Sequence, residues 1–225
     1  MLRVKDNISA FNSTEYDEKI KHTLPFYGEL YKQVVDVVKI HNPQILTWHD
    51  VGCGTGKMEE TALGQLDVEQ FVFCDSSAEM IGIVQKRFDV LNVSFLISDI
   101  QKLRYSSQFD VVTAIQVNHY FHIEDRIKAI QNCYRALKPG GIFITFENFA
   151  PYSDFGKQLY LDRWKAYQLS QGKSPAECDN HISRYGNDYL PISISEHLEV
   201  MNNCGFKAVE FLWLSYMQIG PLGIK

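Results

Sequence analysis

One turn constrains this chain more than any other feature. Asp50-Val51-Gly52-Cys53-Gly54-Thr55-Gly56 places three glycines at alternate positions, directly after a strand-like run and directly before a helical one. Glycine reverses the chain at positive φ and lets a ligand reach the main chain, so the pattern marks a strand–loop–helix unit with a ligand at its tip. The frame sets aside two other nucleotide loops. A dinucleotide fingerprint needs glycine at 57, where Lys57 stands, and a phosphate-binding loop needs Ser or Thr after its lysine, where Met58 stands. An NAD-dependent dehydrogenase loses its warrant with the first of these.

The chain repeats the rhythm of that turn. Strand-like runs at 45–51, 71–74, 93–97, 109–115 and 142–147 alternate with helical spacing at 57–66, 78–88 and 125–137, and Lys138-Pro139-Gly140-Gly141 reads as a turn before the fifth strand. Alternation of this kind predicts an α/β fold with a doubly wound, mostly parallel sheet. Residues 14–40 read as two helices broken at Leu24-Pro25, the second with Leu30, Val34, Val37 and Val38 at helical spacing. Residues 150–190 are rich in Tyr and polar residues and predict a lid with helices near 155–169 and 175–182. A helix at 195–204 closed by Gly205 and strands at 207–214 and 216–224 complete a seven-stranded sheet. The expectation is a single domain over 1–225: a helical cover (1–42), a ligand-binding core (43–149), a lid (150–192) and a final helix with a strand pair (193–225).

Composition narrows the function. At 45% hydrophobic and 22% charged residues the chain has a globular make-up, and no apolar run approaches the roughly 20 residues of a membrane span. Its amino terminus has no apolar block or cleavage site, so the cytoplasm is expected. Cys53, Cys74, Cys133, Cys178 and Cys204 are odd in number and show no C-x-x-C spacing, which predicts reduced thiols and no metal. A formal net charge of −5 offers no basic footprint for nucleic acid and favours a small-molecule substrate. Whether the chain is a monomer or a homodimer is left open.

Several polar residues fall where strands end. Asp75 stands 23 residues after Gly52, at the end of the second strand. Its carboxylate can accept from two hydroxyls at once, and it can equally cap the helix that follows. Asp99 ends the third strand. Gln116, Val117, His119 and His122 follow the fourth, and Glu147 ends the fifth. A histidine near neutral pKa is a natural proton acceptor, which makes His119 the candidate base; Glu147 is the second catalytic candidate, placed to bind an amine, and His122 is a candidate substrate contact.

With these residues in this order, the chain resembles the class I S-adenosylmethionine-dependent methyltransferase superfamily over roughly residues 26–149 and the last two strands. The resemblance implies the Rossmann-like methyltransferase fold with an antiparallel last strand, S-adenosylmethionine as cofactor and S-adenosylhomocysteine as product. It implies Asp50, Gly52, Cys53, Gly54 and Gly56 around the cofactor's amino-acid part, and Asp75 with Ser76 at the ribose. Met80, Asp99 and Ile100 would hold the adenine, and Gln116 and Val117 would lie beside the sulfur. Asn118-His119-Tyr120-Phe121 lacks the N/D-P-P-Y/F form tied to amino-group methylation of bases and glutamine. A small-molecule N or O acceptor is therefore expected, in a pocket with Tyr16 and Tyr27 on its walls. Tyr16-Asp17, Pro25-Phe26-Tyr27 and the ending from Phe211 to Lys225 are also similar to carboxy-S-adenosylmethionine synthases, which serve tRNA modification; Arg184 would then grip the extra carboxylate. A cofactor-binding module without catalysis is the alternative of another class.

Overall fold

The computed structural model describes residues 8–42, 46–88 and 92–225. The expected strand start at Ile45 and the core boundary at 43 lie outside the described residues. Five strands run from the middle of the chain: β1 (Leu46–Val51), β2 (Val68–Asp75), β3 (Val93–Ile97), β4 (Phe109–Ile115) and β5 (Leu137–Asn148). Two follow at the end, β6 (Ala208–Ser215) and β7 (Gln218–Ile224). They form one sheet in the order β3-β2-β1-β4-β5-β7-β6. The first five pair in parallel, and β7 runs antiparallel to both β5 and β6. The order reverses between β1 and β4, which opens a crevice beyond their carboxyl ends where ligands of such sheets bind.

Helices cover both faces, so the central strands are near-continuous apolar runs. Helix α1 (Tyr16–Lys19) is a single turn, and α2 (Tyr27–His41) sets Leu30, Val34 and Val38 against Trp48, Phe73 and Phe146. Each such side chain contributes about 1.5–3 kcal/mol by leaving water. On the other face α5 (Ile123–Ala136) and α8 (Ile194–Cys204) bury Ile130, Cys133 and Met201 against Val112 and Phe143. Helices α3 (Lys57–Ala62) and α4 (Ala78–Arg87) follow the first two strands. Helix α6 (Asp154–Ser170) and α7 (Pro175–Ile182) fall in the expected lid; Ser174 and Glu177 cap α7 reciprocally, with Pro175 at its first position.

The elements depart from expectation where a distant partner decides. The expected turn at 138–141 is the start of β5: Gly140 N–H donates to Lys225 O at 2.9 Å and Lys225 N–H to Gly141 O at 3.0 Å, so the chain end draws the Pro-Gly-Gly segment into the sheet. Helix α3 stops at Ala62, short of 66, because Leu63 leaves helical geometry and Gly64 turns at φ +74°. The cover and the lid are joined directly: Trp164 Nε1–H donates to Thr23 O at 2.7 Å, and Tyr167 OH to Lys21 O at 3.1 Å.

Candidate active site

The glycine turn sits at the end of β1, held to β2 by Gly52 N–H and Cys53 N–H, both donating to Cys74 O at 2.7 and 3.0 Å. Gly52 adopts φ +66°, and a Cβ there would lie 2.3 Å from Val117 Cγ2. Gly54 is different: at φ +54° its Cβ would meet nothing within 4 Å, because it faces an open cleft. Asp75 closes the turn. Its Oδ2 accepts from Gly54 N–H and its Oδ1 from Ser77 N–H, each at 2.9 Å. The cap of α4 is Ser77, whose Oγ accepts from Met80 N–H at 3.1 Å, so Asp75 does not serve as that cap.

The cleft beyond these strand ends holds about 760 Å³ of free space, part of it open to solvent. Gly52, Gly54, Asp75 and Ser76 line it, with Met80, Asp99 and Ile100, and with Gln116, Val117 and Tyr16; Gly52 and Val117 lie side by side on its wall. Val51, Ser98, Tyr120 and Phe121 also line it, together with Ile8 and Ser9 of the amino-terminal segment. Ser98 and Tyr120 adjoin residues already singled out; nothing in the sequence marks Ile8 or Ser9. Gln116 is held at φ +61°, outside the range most residues adopt, by its N–H bond to Phe146 O at 2.7 Å, and its side-chain Nε2 is buried without a partner.

A second, narrow chamber lies beside the cleft, with about 350 Å³ of free space counting its solvent-open part and the gaps between side chains, and shares Ser9, Tyr16, Gln116 and Tyr120 with it. His119, Asn148, Trp164 and Tyr189 wall it, and among the described residues no Asp, Glu, Lys or Arg lines it. His119 is 1% exposed and accepts the Asn148 N–H on Nδ1 at 3.4 Å. A neutral ring bonded in that way carries its proton on Nε2. Burial, with the Arg126 and Arg184 charges, holds its pKa well below 6.5.

Other expected site residues lie elsewhere. Asp50, Cys53 and Gly56 belong to the turn but are buried and do not line the cleft. Asp50 accepts from Thr113 Oγ1 at 2.6 Å, and burial pushes its carboxyl up to about 7. Tyr27 is packed in the core, its hydroxyl 3.2 Å from that of Tyr31. His122 is the exposed residue before α5. Glu147 is fully buried behind the chamber, accepting from Asn118 Nδ2 at 2.9 Å and Thr145 Oγ1 at 2.8 Å, with Arg126 Nη1 at 3.6 Å. Arg184 donates to Ile8 O at 2.9 Å and Ser9 O at 3.4 Å and pairs with Asp188 at 3.2 Å. Among the described residues no group of three or more His, Cys, Asp or Glu is placed to hold a metal, and no helix is long and apolar enough to cross a membrane.

Residues 49–141, from the first strand to the start of the fifth, match the family model described as a methyltransferase domain. That match takes in the glycine turn and the strand ends that border the cleft. Along most of its length it is similar to the carboxy-S-adenosyl-L-methionine synthase of Staphylococcus epidermidis, at 23% identity over 96% of this chain and 95% of that one. The corresponding enzyme of a Nitratiruptor species is 27% identical over 90% and 86% of the two chains. The N-methyltransferase NodS of Bradyrhizobium japonicum, solved with S-adenosyl-L-homocysteine, shares the fold with a TM-score of 0.62 at 14% identity, over 89% of this chain and 88% of that chain. The cleft fits the cofactor of this class: its size suits a nucleoside with a long side chain, Asp75 and Asp99 offer acceptors, and the buried Gln116 amide is an unused donor.

Proposed function

We propose that this protein transfers the methyl group of S-adenosylmethionine to an uncharged nitrogen or oxygen of a small acceptor held in the chamber. The observation that carries this reading is the chamber itself, which shares Gln116 and Tyr120 with the cleft and, among the described residues, has no charged side chain on its walls. Once bound, the cofactor would supply an activated methyl, whose carbon–sulfur bond would give way to the acceptor's lone pair and leave its electron pair on sulfur. The protein's share is alignment and exclusion of water. Tyr16 and Tyr120 form the boundary between cleft and chamber, so they set the line of approach. With its Nδ1 lone pair turned to Asn148, His119 offers a donor rather than a base, and it orients the acceptor. A neutral amine acceptor needs no side-chain base, because the ammonium formed sheds its proton to water on release; a hydroxyl acceptor would yield its proton to water as the new bond forms, since His119 does not take it.

Similarity to carboxy-S-adenosyl-L-methionine synthases along nearly the whole chain favours a second reading, in which the cofactor itself is carboxylated. That chemistry calls for a cation beside the sulfonium end, and Arg184 is occupied by Ile8 O, Ser9 O and Asp188, outside the chamber lining. The test is mass spectrometry of the ligand that copurifies, followed by turnover against a panel of amines and phenols. Unmodified cofactor, with S-adenosylhomocysteine formed against at least one acceptor, supports methyl transfer. A carboxylated cofactor selects the second reading, and tight binding with no turnover makes the protein a cofactor-binding module.

A further inference from the structure

A second cleft, with about 960 Å³ of free space including its solvent-open part, lies across the amino-terminal segment from the active site. Lys19, His22, Lys173 and Arg184 line it, against one acid, Glu177. The charges there are unevenly matched. Lys19 has Glu15 at 2.9 Å and Arg184 has Asp188 at 3.2 Å. Glu177 is engaged in its cap, its Oε2 accepting from Ser174 N–H at 2.9 Å and Ser174 Oγ at 2.7 Å. Lys173 makes no ion pair with a carboxylate among the described residues. Its ammonium bonds only the neutral Thr23 Oγ1 and Gln168 Oε1 and lies 5.1 Å over the Phe11 ring. Burial pushes its pKa below the ordinary lysine value, the direction taken by a cation that has lost water without gaining an anion.

A second, independent observation points to a ligand. His181 also lines this cleft, is 6% exposed, and has Nε2 buried with no hydrogen-bond partner. Its ring is stacked with Phe11, ring centroids 6.2 Å apart and 8° between planes. Buried polar atoms are nearly always paired, so an orphaned ring nitrogen beside an unmatched ammonium describes a site lacking its anion. We propose that this cleft binds the carboxylate or phosphate of a small organic molecule, with Lys173 as the principal cation, His181 as a neutral polar contact and Phe11 as the apolar support. The cleft and the chamber have Ala10, Phe11 and His181 in common, so an occupant here touches the wall of the acceptor site.

Isothermal titration of the full chain with inorganic phosphate, and separately with benzoate, tests this. We expect one saturable site for at least one probe, phosphate binding more tightly if the ligand is a phosphate and benzoate if it is an aryl carboxylate. Lys173→Met should weaken it at least about tenfold, equivalent to ~1.4 kcal/mol, and Lys173→Arg should retain it. Lys19→Met, at an exposed position, should weaken it by only about threefold, as expected of a screened charge, and Lys207→Met on a remote surface should leave it unchanged. No saturable binding of either probe, or wild-type affinity in a Lys173→Met protein whose circular dichroism is native, overturns the proposal. None of these measurements involves cofactor or turnover, so their failure is separable from failure of methyl transfer.

Discussion

Substituting Gly52→Ala tests the geometry of the turn on which the whole site rests. Two costs arise. Alanine at φ +66° incurs about 1–2 kcal/mol of backbone strain. Its Cβ also falls 2.3 Å from Val117 Cγ2 and 3.1 Å from Cγ1, an overlap that close-packed surroundings resist at roughly 1–3 kcal/mol. The two sum to about 2–5 kcal/mol, and only the second belongs to Val117. Val117→Ala removes both offending methyls and leaves the strain untouched, so a double-mutant cycle separates the terms. Urea melts of the four proteins should give a coupling of about 1–3 kcal/mol, with the double variant more stable than the sum of the singles predicts. Titration with S-adenosylhomocysteine should show affinity falling at least about tenfold in Gly52→Ala and partly restored in the double variant, because both residues line the cleft. A coupling of zero, or a Gly52→Ala protein as stable as wild type, would refute the placement of the turn against Val117.

Asp75→Ala leaves the Gly54 and Ser77 amides without their acceptor and removes a wall of the cleft, so S-adenosylhomocysteine affinity should fall at least about tenfold by calorimetry; unchanged affinity would dissociate Asp75 from the ligand. Asp50, raised to about 7, holds its proton when folded while the unfolded chain releases it near 4. Stability therefore declines as pH rises from about 4 to about 7, by at most roughly 4 kcal/mol for this group, and Asp50→Asn should flatten melts across that window, leaving the smaller share of Glu59. Arg126→Met strands the buried Glu147 carboxylate and should cost about 3–5 kcal/mol in chemical melts; adding Glu147→Gln should recover most of it, and no recovery would mean that the pair is not coupled. Asp17 accepts from Thr55 Oγ1 at 2.5 Å and from Arg87 Nη2 at 2.6 Å, tying the cover to the glycine turn at partly exposed sites. Asp17→Ala should speed ligand release a few-fold in stopped flow with a stability loss below about 1 kcal/mol, and an unchanged off-rate would show that the cover does not gate the cleft.

The parts of this molecule written in local pattern were legible. Alternating runs located β1 to β5, and Gly52 with Gly54, Asp75, Met80 and Asp99 came from a turn and strand ends whose chemistry is carried by neighbouring residues in the chain. Misreadings arose where long-range pairing decides. Lys138-Pro139-Gly140-Gly141 has every local mark of a turn, yet Lys225 recruits it to the sheet. Tyr27 and Glu147 looked like pocket residues by type and position, but side-chain direction follows packing: Tyr27 turns into the helix–sheet core and Glu147 into the space behind the chamber. Ile8, Ser9 and Ala10 carry no chemical signature at all. They reach the site because Arg184, some 175 residues away, holds the carbonyls of Ile8 and Ser9, a contact that no local pattern encodes.

That contact also explains how charge is distributed about the proposed reaction. A sulfonium donor and a neutral nucleophile react best where no fixed ion competes for the nucleophile's lone pair or repels the donor. Two arginines nevertheless approach the chamber closely enough for their charges to depress His119. Each is held away by its own partners, Arg126 by Glu147 and the Leu190 carbonyl at 2.6 Å, Arg184 by Asp188 and the carbonyls of Ile8 and Ser9. Burial first, and their fields second, keep the imidazole neutral, and among the described residues no cation stands on the wall. In the same arrangement Glu147, through Asn118, fixes the turn that presents Gln116, His119 and Tyr120, so the carboxylate acts on the site by positioning it and not by touching a substrate. Buried charge is costly to retain, and here it is retained one layer behind a neutral chamber, where its effect on geometry is large and its effect on the reacting atoms is small.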